Sequence, residues 1–165
     1  MNTGLFGLPS GPGDPVYEGS TKLIKTTDQT MTVGSTNTMV MDAVVWDDLG
    51  IWDPRTPDKV IIRQTGRYRV IGEVREGTNT QYRTLRWSEV NRSGVNGDVQ
   101  GAITRQTQWI NAENVAYLQC SGTDYLDAGD IITLAFVYGG SGGTTTNLFT
   151  GLPPTAFLIV ELLGF

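Results

Sequence analysis

Seven aspartates fall in two short stretches, Asp47, Asp48, Asp53 and Asp58 in one and Asp124, Asp127 and Asp130 in the other. Oxygen-rich loops of this kind can bind calcium, which makes Asp124, Asp127 and Asp130 candidate ligands. The position-specific spacing of a calcium loop is missing, however, and aspartates also shape turns and cap backbone N–H groups. Asp130, directly after Gly129, is expected to close its turn in that way. A carboxylate pair such as Asp124 and Asp127 could also serve as acid and base on a glycan. Against this, the chain has no histidine, which removes the commonest general base, the usual metal ligand and any Ser-His arrangement. Cys120 is the single cysteine; it lacks a histidine partner and sits in an apolar alternation, so it belongs in a core.

Other chemistry is thinly supported. No GxxxxGK[ST] or GxGxxG run occurs, and the glycines between 139 and 143 precede no helix that could receive a phosphate, so no cofactor is implied. Trp87, Trp109 and Tyr82 could form a sugar-stacking platform, or they pack in a core or between subunits. The net charge of −5, from 12 basic and 17 acidic residues, argues against nucleic acid, because phosphate contacts need clustered Lys and Arg. The arginines between Arg63 and Arg92 occupy alternating strand positions, the pattern of a solvated sheet face. One cysteine permits no intrachain disulfide. No window approaches the ~18 apolar residues of a membrane span, and the first residues, MNTGLFGLPSG, lack the basic start and apolar core of a signal peptide. The expectation is a protein made in a cytoplasm.

The elements that would hold these residues are strands. Among 165 residues there are 21 glycines, and the abundance of Thr, Asn and Val favours strands and turns. A chain of this length buries about 70% of its unfolded surface, enough for one domain with a core. Residues 1–36 read as an extended arm rich in Gly, Pro and Thr, because Gly4, Gly7, Pro9, Gly11, Pro12, Gly13 and Pro15 break regular structure. Leu5, Phe6, Leu8, Val16, Tyr17, Leu23 and Ile24 recur through it, which suggests apolar anchors that dock on a partner. A flexible tail or one extra edge strand is the alternative. From residue 37 to 165 strand and turn alternate, giving about eight strands. In Thr65–Glu76, Tyr68, Val70, Gly72 and Val74 face one way and Arg67, Arg69, Glu73 and Arg75 the other.

The carboxyl end is apolar on both sides. If Ala156, Leu158, Val160 and Leu162 face a core, then Phe157, Ile159 and Leu163 face away from it. An antiparallel sheet normally exposes its second face to water, so a further layer is expected, and the simplest layer is a second copy of the chain. Ile131, Ala135 and Val137, opposite Ile132, Leu134, Phe136 and Tyr138, point to a second strand of this kind. The arm folding over the sheet would also account for both.

Val45-Trp46-Asp47 through Gly50, Trp52-Asp53-Pro54 and Pro57, then Val60 and Gly66-Arg67-Tyr68, resembles the opening of the complement globular-head and tumour-necrosis-factor-like jelly rolls. Leu126 followed by Ala128-Gly129-Asp130 and the run Ile131–Tyr138 is similar to that family's Gly-Asp corner, and Phe157-Leu158-Ile159 to its closing strand. The resemblance spans about residues 38 to 165. It implies an all-β fold, a ten-strand, two-sheet antiparallel jelly-roll sandwich, assembled as a compact homotrimer around the inner sheet. The interface it suggests comprises Tyr68, Phe136, Tyr138, Phe157, Ile159 and Leu163.

Family members with collagenous or membrane-anchored stalks are secreted ligands, and this chain shows neither stalk. A short apolar-studded arm on a trimer is more like a virion protein of a bacteriophage or another virus. The expected function is that of a capsid decoration or head-fibre subunit, located on the virion, that docks on the major capsid protein or another virion protein through Leu5, Phe6, Leu8, Val16 and Tyr17. Three arms on a matching lattice would turn modest affinity into avidity. The alternative is a receptor-binding tip of a phage fibre that recognises a host-surface glycan or protein.

Overall fold

The computed structural model describes residues 19–32, 34–76, 84–94, 99–110, 116–138, 145–147 and 156–164. Their regular elements are strands: β1 (Gly19–Lys25), β2 (Thr30–Thr32), β3 (Thr36–Thr38), β4 (Ala43–Asp47), β5 (Val60–Ile61), β6 (Gly66–Glu76), β7 (Thr84–Ser93), β8 (Val99–Ile110), β9 (Ala116–Leu126), β10 (Ile131–Tyr138), β11 (Thr145–Asn147) and β12 (Ala156–Gly164). The first sheet runs β4-β1-β12-β6-β9 and the second β3-β10-β7-β8, with β5 on the far end of β10. Every pairing is antiparallel, and β2 and β11 form a separate ribbon.

Period-two alternation decides which side chains fill the sandwich. Tyr68, Val70 and Val74 of β6, Leu158, Val160 and Leu162 of β12, and Leu118 and Cys120 of β9 meet Val90 of β7 and Ile132, Leu134 and Phe136 of β10 in one core. Gly72 is required there: a Cβ would come within 2.5 Å of Leu134 Cδ1 and 2.9 Å of Val90 Cγ2. At the β9 edge the two sheets close on each other. Thr104 Oγ1 of β8 donates to the Ser121 carbonyl of β9 at 2.9 Å, and Gly122 leaves room for Thr104 and the Ile103 carbonyl.

The domain starts earlier than the sequence suggests. β1 lies inside the span expected to be arm, in the interior of the first sheet between β4 and β12. Its inward residues include Thr21 and Lys25, so it does not read as a core strand. Yet both are buried, Thr21 Oγ1 donating to Asp47 Oδ1 at 2.5 Å and Lys25 Nζ to the Val40 carbonyl at 2.9 Å. Between β1 and β4 the chain packs Met31, Met39 and Met41 into the core. Asp42 ties this excursion down, its two oxygens accepting the N–H and hydroxyl groups of Thr26 and Thr27.

A second correction concerns β10. Ala135 and Val137 are already buried, at 1% and 5% exposure. Ala135 lies between Thr38 and Glu89 in register, and Glu89 is held on this face by Arg105 and Asn91. The protomer itself covers Ala135 and Val137 on the second face of β10 and leaves Ile131 half-buried.

Candidate functional site

On β12 the outward residues Phe157, Ile159, Glu161 and Leu163 are half-buried, in contrast to the fully buried inward set. Antiparallel register sets Ile159 between Lys22 of β1 and Ile71 of β6, and Phe157 between Ile24 and Glu73. Ile24, Phe157, Ile159 and Ile71 therefore form an apolar stripe across the middle strands of the first sheet. Charges border it in fixed pairs. Arg69 is ion-paired with Glu161, and Gln119 Nε2 donates to Glu73 at 3.3 Å. Lys22 Nζ stands 5.2 Å from the Trp46 ring and 5.5 Å from the Phe157 ring, while Trp46 Nε1 donates to Ser20 Oγ at 2.7 Å. Cation–π contact and hydrogen bond together fix the indole in place.

Exposure is concentrated at the margins of this sheet. Among the described residues the exposed large hydrophobics are Val40, Val44, Val45 and Trp46, on or beside β4, and Tyr117 and Tyr125 on β9. Tyr117 is stacked under Arg75, whose guanidinium sits 4.7 Å from the ring and donates to its hydroxyl at 2.9 Å. An apolar centre flanked by aromatics, arginines and satisfied ion pairs has the make-up of a protein-contact surface. Among the described residues it holds no nucleophile and base in contact.

No protein-family description matches the sequence, and no curated protein matches it. Solved structures do match the fold. Murine APRIL at pH 5.0 is 16% identical with a TM-score of 0.63, covering 87% of this chain and 98% of its own. The globular domain of zebrafish complement 1qA protein is 9% identical with a TM-score of 0.63, over 87% and 96%. Eiger TNF from S. frugiperda is 15% identical with a TM-score of 0.59, over 88% and 92%. The chain has a TNF/complement-head jelly-roll fold.

The motifs behind the resemblance are joints of this TNF-like sandwich. Asp47 closes the turn after β4: Oδ1 accepts the Ile51 N–H at 3.1 Å and Oδ2 the Trp52 N–H at 3.3 Å, with Gly50 at φ +61°. In the next turn Arg55 donates to both oxygens of Asp53 and, first among the causes, lowers its pKa to about 2. Gly129, at φ +98°, donates its N–H to the Ile62 carbonyl at 2.7 Å. Asp130 Oδ2 accepts the Asp127 N–H at 2.8 Å, the turn closure expected of it.

The candidate calcium ligands already share a cation. Arg92 reaches Asp130 at 2.7 Å and Asp124 and Asp127 at 3.6 Å each, and donates to the Tyr125 carbonyl at 3.0 Å. Its guanidinium is the shared counter-charge of the three carboxylates, and no cluster of three metal-ligating side chains is found among the described residues. Cys120 is buried beside Gly72, and desolvation raises its pKa.

Two of the expected interface residues lie in the wrong place. Tyr68 and Phe136, 1% and 0% exposed, belong to the protomer core, and the Tyr68 hydroxyl donates to the Gln64 carbonyl. Strand period assigns them to a face, but whether that face meets the partner sheet or a neighbouring subunit depends on sheet packing. Phe157, Ile159 and Leu163 do face outward. The Tyr138, Trp87 and Trp109 side chains, and Leu5, Phe6, Leu8, Val16, Tyr17 and Tyr82, lie outside the described residues. Sequence inspection missed Lys22, Trp46, Ile71 and Tyr117 as surface partners and placed Ile24 on an arm, because only strand register brings Lys22, Ile24 and Ile71 beside β12 and sets Trp46 and Tyr117 on the outer strands of the same sheet.

Proposed function

We propose that the protein is a homotrimeric, non-enzymatic structural subunit whose first sheet packs around the threefold axis. The apolar stripe Ile24, Phe157, Ile159 and Ile71 is the observation that carries this reading. It is half-buried in the protomer and continues to the rigid Trp46 ring, so sister subunits would remove it from water at about 25 cal/mol per Å² of apolar area. We further propose that the trimer is a virion component, a capsid decoration or head-fibre subunit bound to the major capsid protein or another virion protein by the segment before β1. Support comes from the apolar residues Leu5, Phe6, Leu8, Val16 and Tyr17 in that segment, while the lack of a histidine anywhere in the chain supports the non-enzymatic part of the reading.

The test is a truncation that stops short of Gly19, since β1 is part of the first sheet. Removing residues 1–17 is expected to leave a folded trimer that no longer decorates particles. Retained decoration would remove the arm from this role and favour the receptor-binding tip, for which glycan or cell binding would then be the readout.

A further inference from the structure

Between β1 and β4 the chain makes an excursion that is bonded largely to itself. Its two ends meet in the β1–β4 pairing, where Ile24 stands opposite Ala43. Inside it, Gln29 Nε2 donates to the Thr38 carbonyl at 2.7 Å, and Gln29 Oε1 accepts the Val40 N–H at 3.0 Å. Asn37 Oδ1 accepts the Thr32 N–H at 2.8 Å, and its Nδ2 donates to the Thr32 and Ser35 carbonyls at 3.0 and 2.9 Å. Among the described residues the backbone ties to the sandwich are short. β3 pairs over three residues with β10, and the Met39 and Met41 N–H groups donate to the Leu134 and Pro57 carbonyls. Of the described residues from 26 to 42, Met31, Met39 and Met41 alone are buried. A part of the chain that meets its own hydrogen bonds and is anchored by three flexible thioethers can open while the rest stays folded.

One side chain closes the neck. Asp42 Oδ1 accepts the Thr26 N–H and hydroxyl at 2.8 and 2.9 Å, and Oδ2 accepts those of Thr27 at 2.9 and 2.5 Å. The two N–H groups can only donate, so a proton on either carboxylate oxygen competes with one of them. Among the described residues the charged group within ion-pair distance is Lys25 of β1, its Nζ 3.9 Å from Oδ2 and its side chain 4% exposed; Asp28, within the excursion, acts on Lys25 as well. Burial alone would raise the pKa of Asp42, but the hydrogen bonds from Thr27 and Thr26 together outweigh it and hold the value below 3.8. Closure is therefore favoured above the unfolded pKa and lost as pH falls through the folded one. Protonation also takes a counter-charge from a buried ammonium, which acts in the same direction. We propose that Asp42 is an acid-sensitive latch, whose protonation releases the excursion and bares Met31, Met39 and Met41 while the two sheets stay paired. The inference is independent of the trimer.

Amide hydrogen exchange of the full-length protein, expressed as protection relative to the intrinsic rate at each pH, tests the latch. From pH 5 to pH 3 the protection of residues 26–32 and 34–42 is expected to fall about fivefold, with that of β6, β9 and β12 unchanged. In full-length Asp42→Asn the excursion should be as weakly protected at pH 5 as the wild type is at pH 3, because an amide sets N–H donors against N–H donors, and the pH response should vanish. Loss of protection in the excursion and the sheets together, full protection at pH 3, or a pH response that survives Asp42→Asn would overturn the proposal. Dilute peroxide gives a second readout on the wild type alone: Met31, Met39 and Met41 should be converted to sulfoxide about fivefold faster at pH 3 than at pH 5. Equal rates would count against the latch.

Discussion

The outer face of the first sheet carries Ile24, Ile71, Phe157, Ile159 and Leu163 along its middle, bordered by Lys22 and the Arg69–Glu161 and Gln119–Glu73 pairs, whereas that of the second carries Glu89, Asn91, Arg105 and Thr133 around Ala135 and Val137, with Ile131 at its end. On the second sheet Arg105 Nε donates to Glu89 Oε2 at 2.8 Å and Asn91 Nδ2 donates to Glu89 Oε1 at 3.1 Å, so this buried carboxylate finds its partners inside the chain. Among the described residues no such bonded cluster covers the apolar stripe of the first sheet. Two sheets that share one core thus prepare different surfaces, one centred on a bonded polar cluster and one on an apolar stripe.

The sharpest way to break this comparison lies on β12, where adjacent residues face opposite ways. Val160→Asp puts a charge in the sealed core and is expected to abolish folding, at a cost of several kcal/mol; circular dichroism would show it. Ile159→Asp, one residue away, should leave the fold intact and reduce the molar mass to that of one chain. Identical behaviour of the two variants would show that the outward face is no different from the core.

Smaller effects test the joints. Asp130→Asn removes the charge facing Arg92 in a largely buried pair, with side-chain exposures of 3% and 15%, and should cost about 3 kcal/mol in urea unfolding. Gly72→Ala should cost roughly 1–3 kcal/mol, because Leu134 and Val90 are packed too tightly to yield. Asp42 gives the mildest signal. Desolvation raises its pKa, but the hydrogen bonds from Thr27 and Thr26 together outweigh it and leave the value below 3.8. A carboxylate lowered in the folded state contributes stability above its unfolded pKa and loses it as pH falls through the folded value. Stability should therefore drop below pH 3.8, and Asp42→Asn should flatten that part of the profile.

Much of the fold could be read from strand period. Tyr68, Val70, Gly72 and Val74 are inward on β6 as the alternation requires, and β12 divides into the two expected faces. β1 escaped because its inward positions include Thr21 and Lys25, whose burial depends on Asp47 and the Val40 carbonyl, far away in sequence. The surface of β10 was misjudged for a similar reason, since Ala135 and Val137 are covered through residues supplied by neighbouring strands. Alternation reports sides of a strand; it does not report which side another layer already occupies. Arg92 shows the same limit, because its three aspartates follow it by more than thirty residues and meet it only through the pairing of β7 and β10 and the corner at Gly129.

Multi-angle light scattering of the full-length protein, diluted to the lowest concentration that gives a signal, addresses the central claim most directly. Three sister chains around the Ile159 stripe predict a stable mass three times that of the chain, unchanged on dilution. A well-behaved species with the mass of one chain would contradict it.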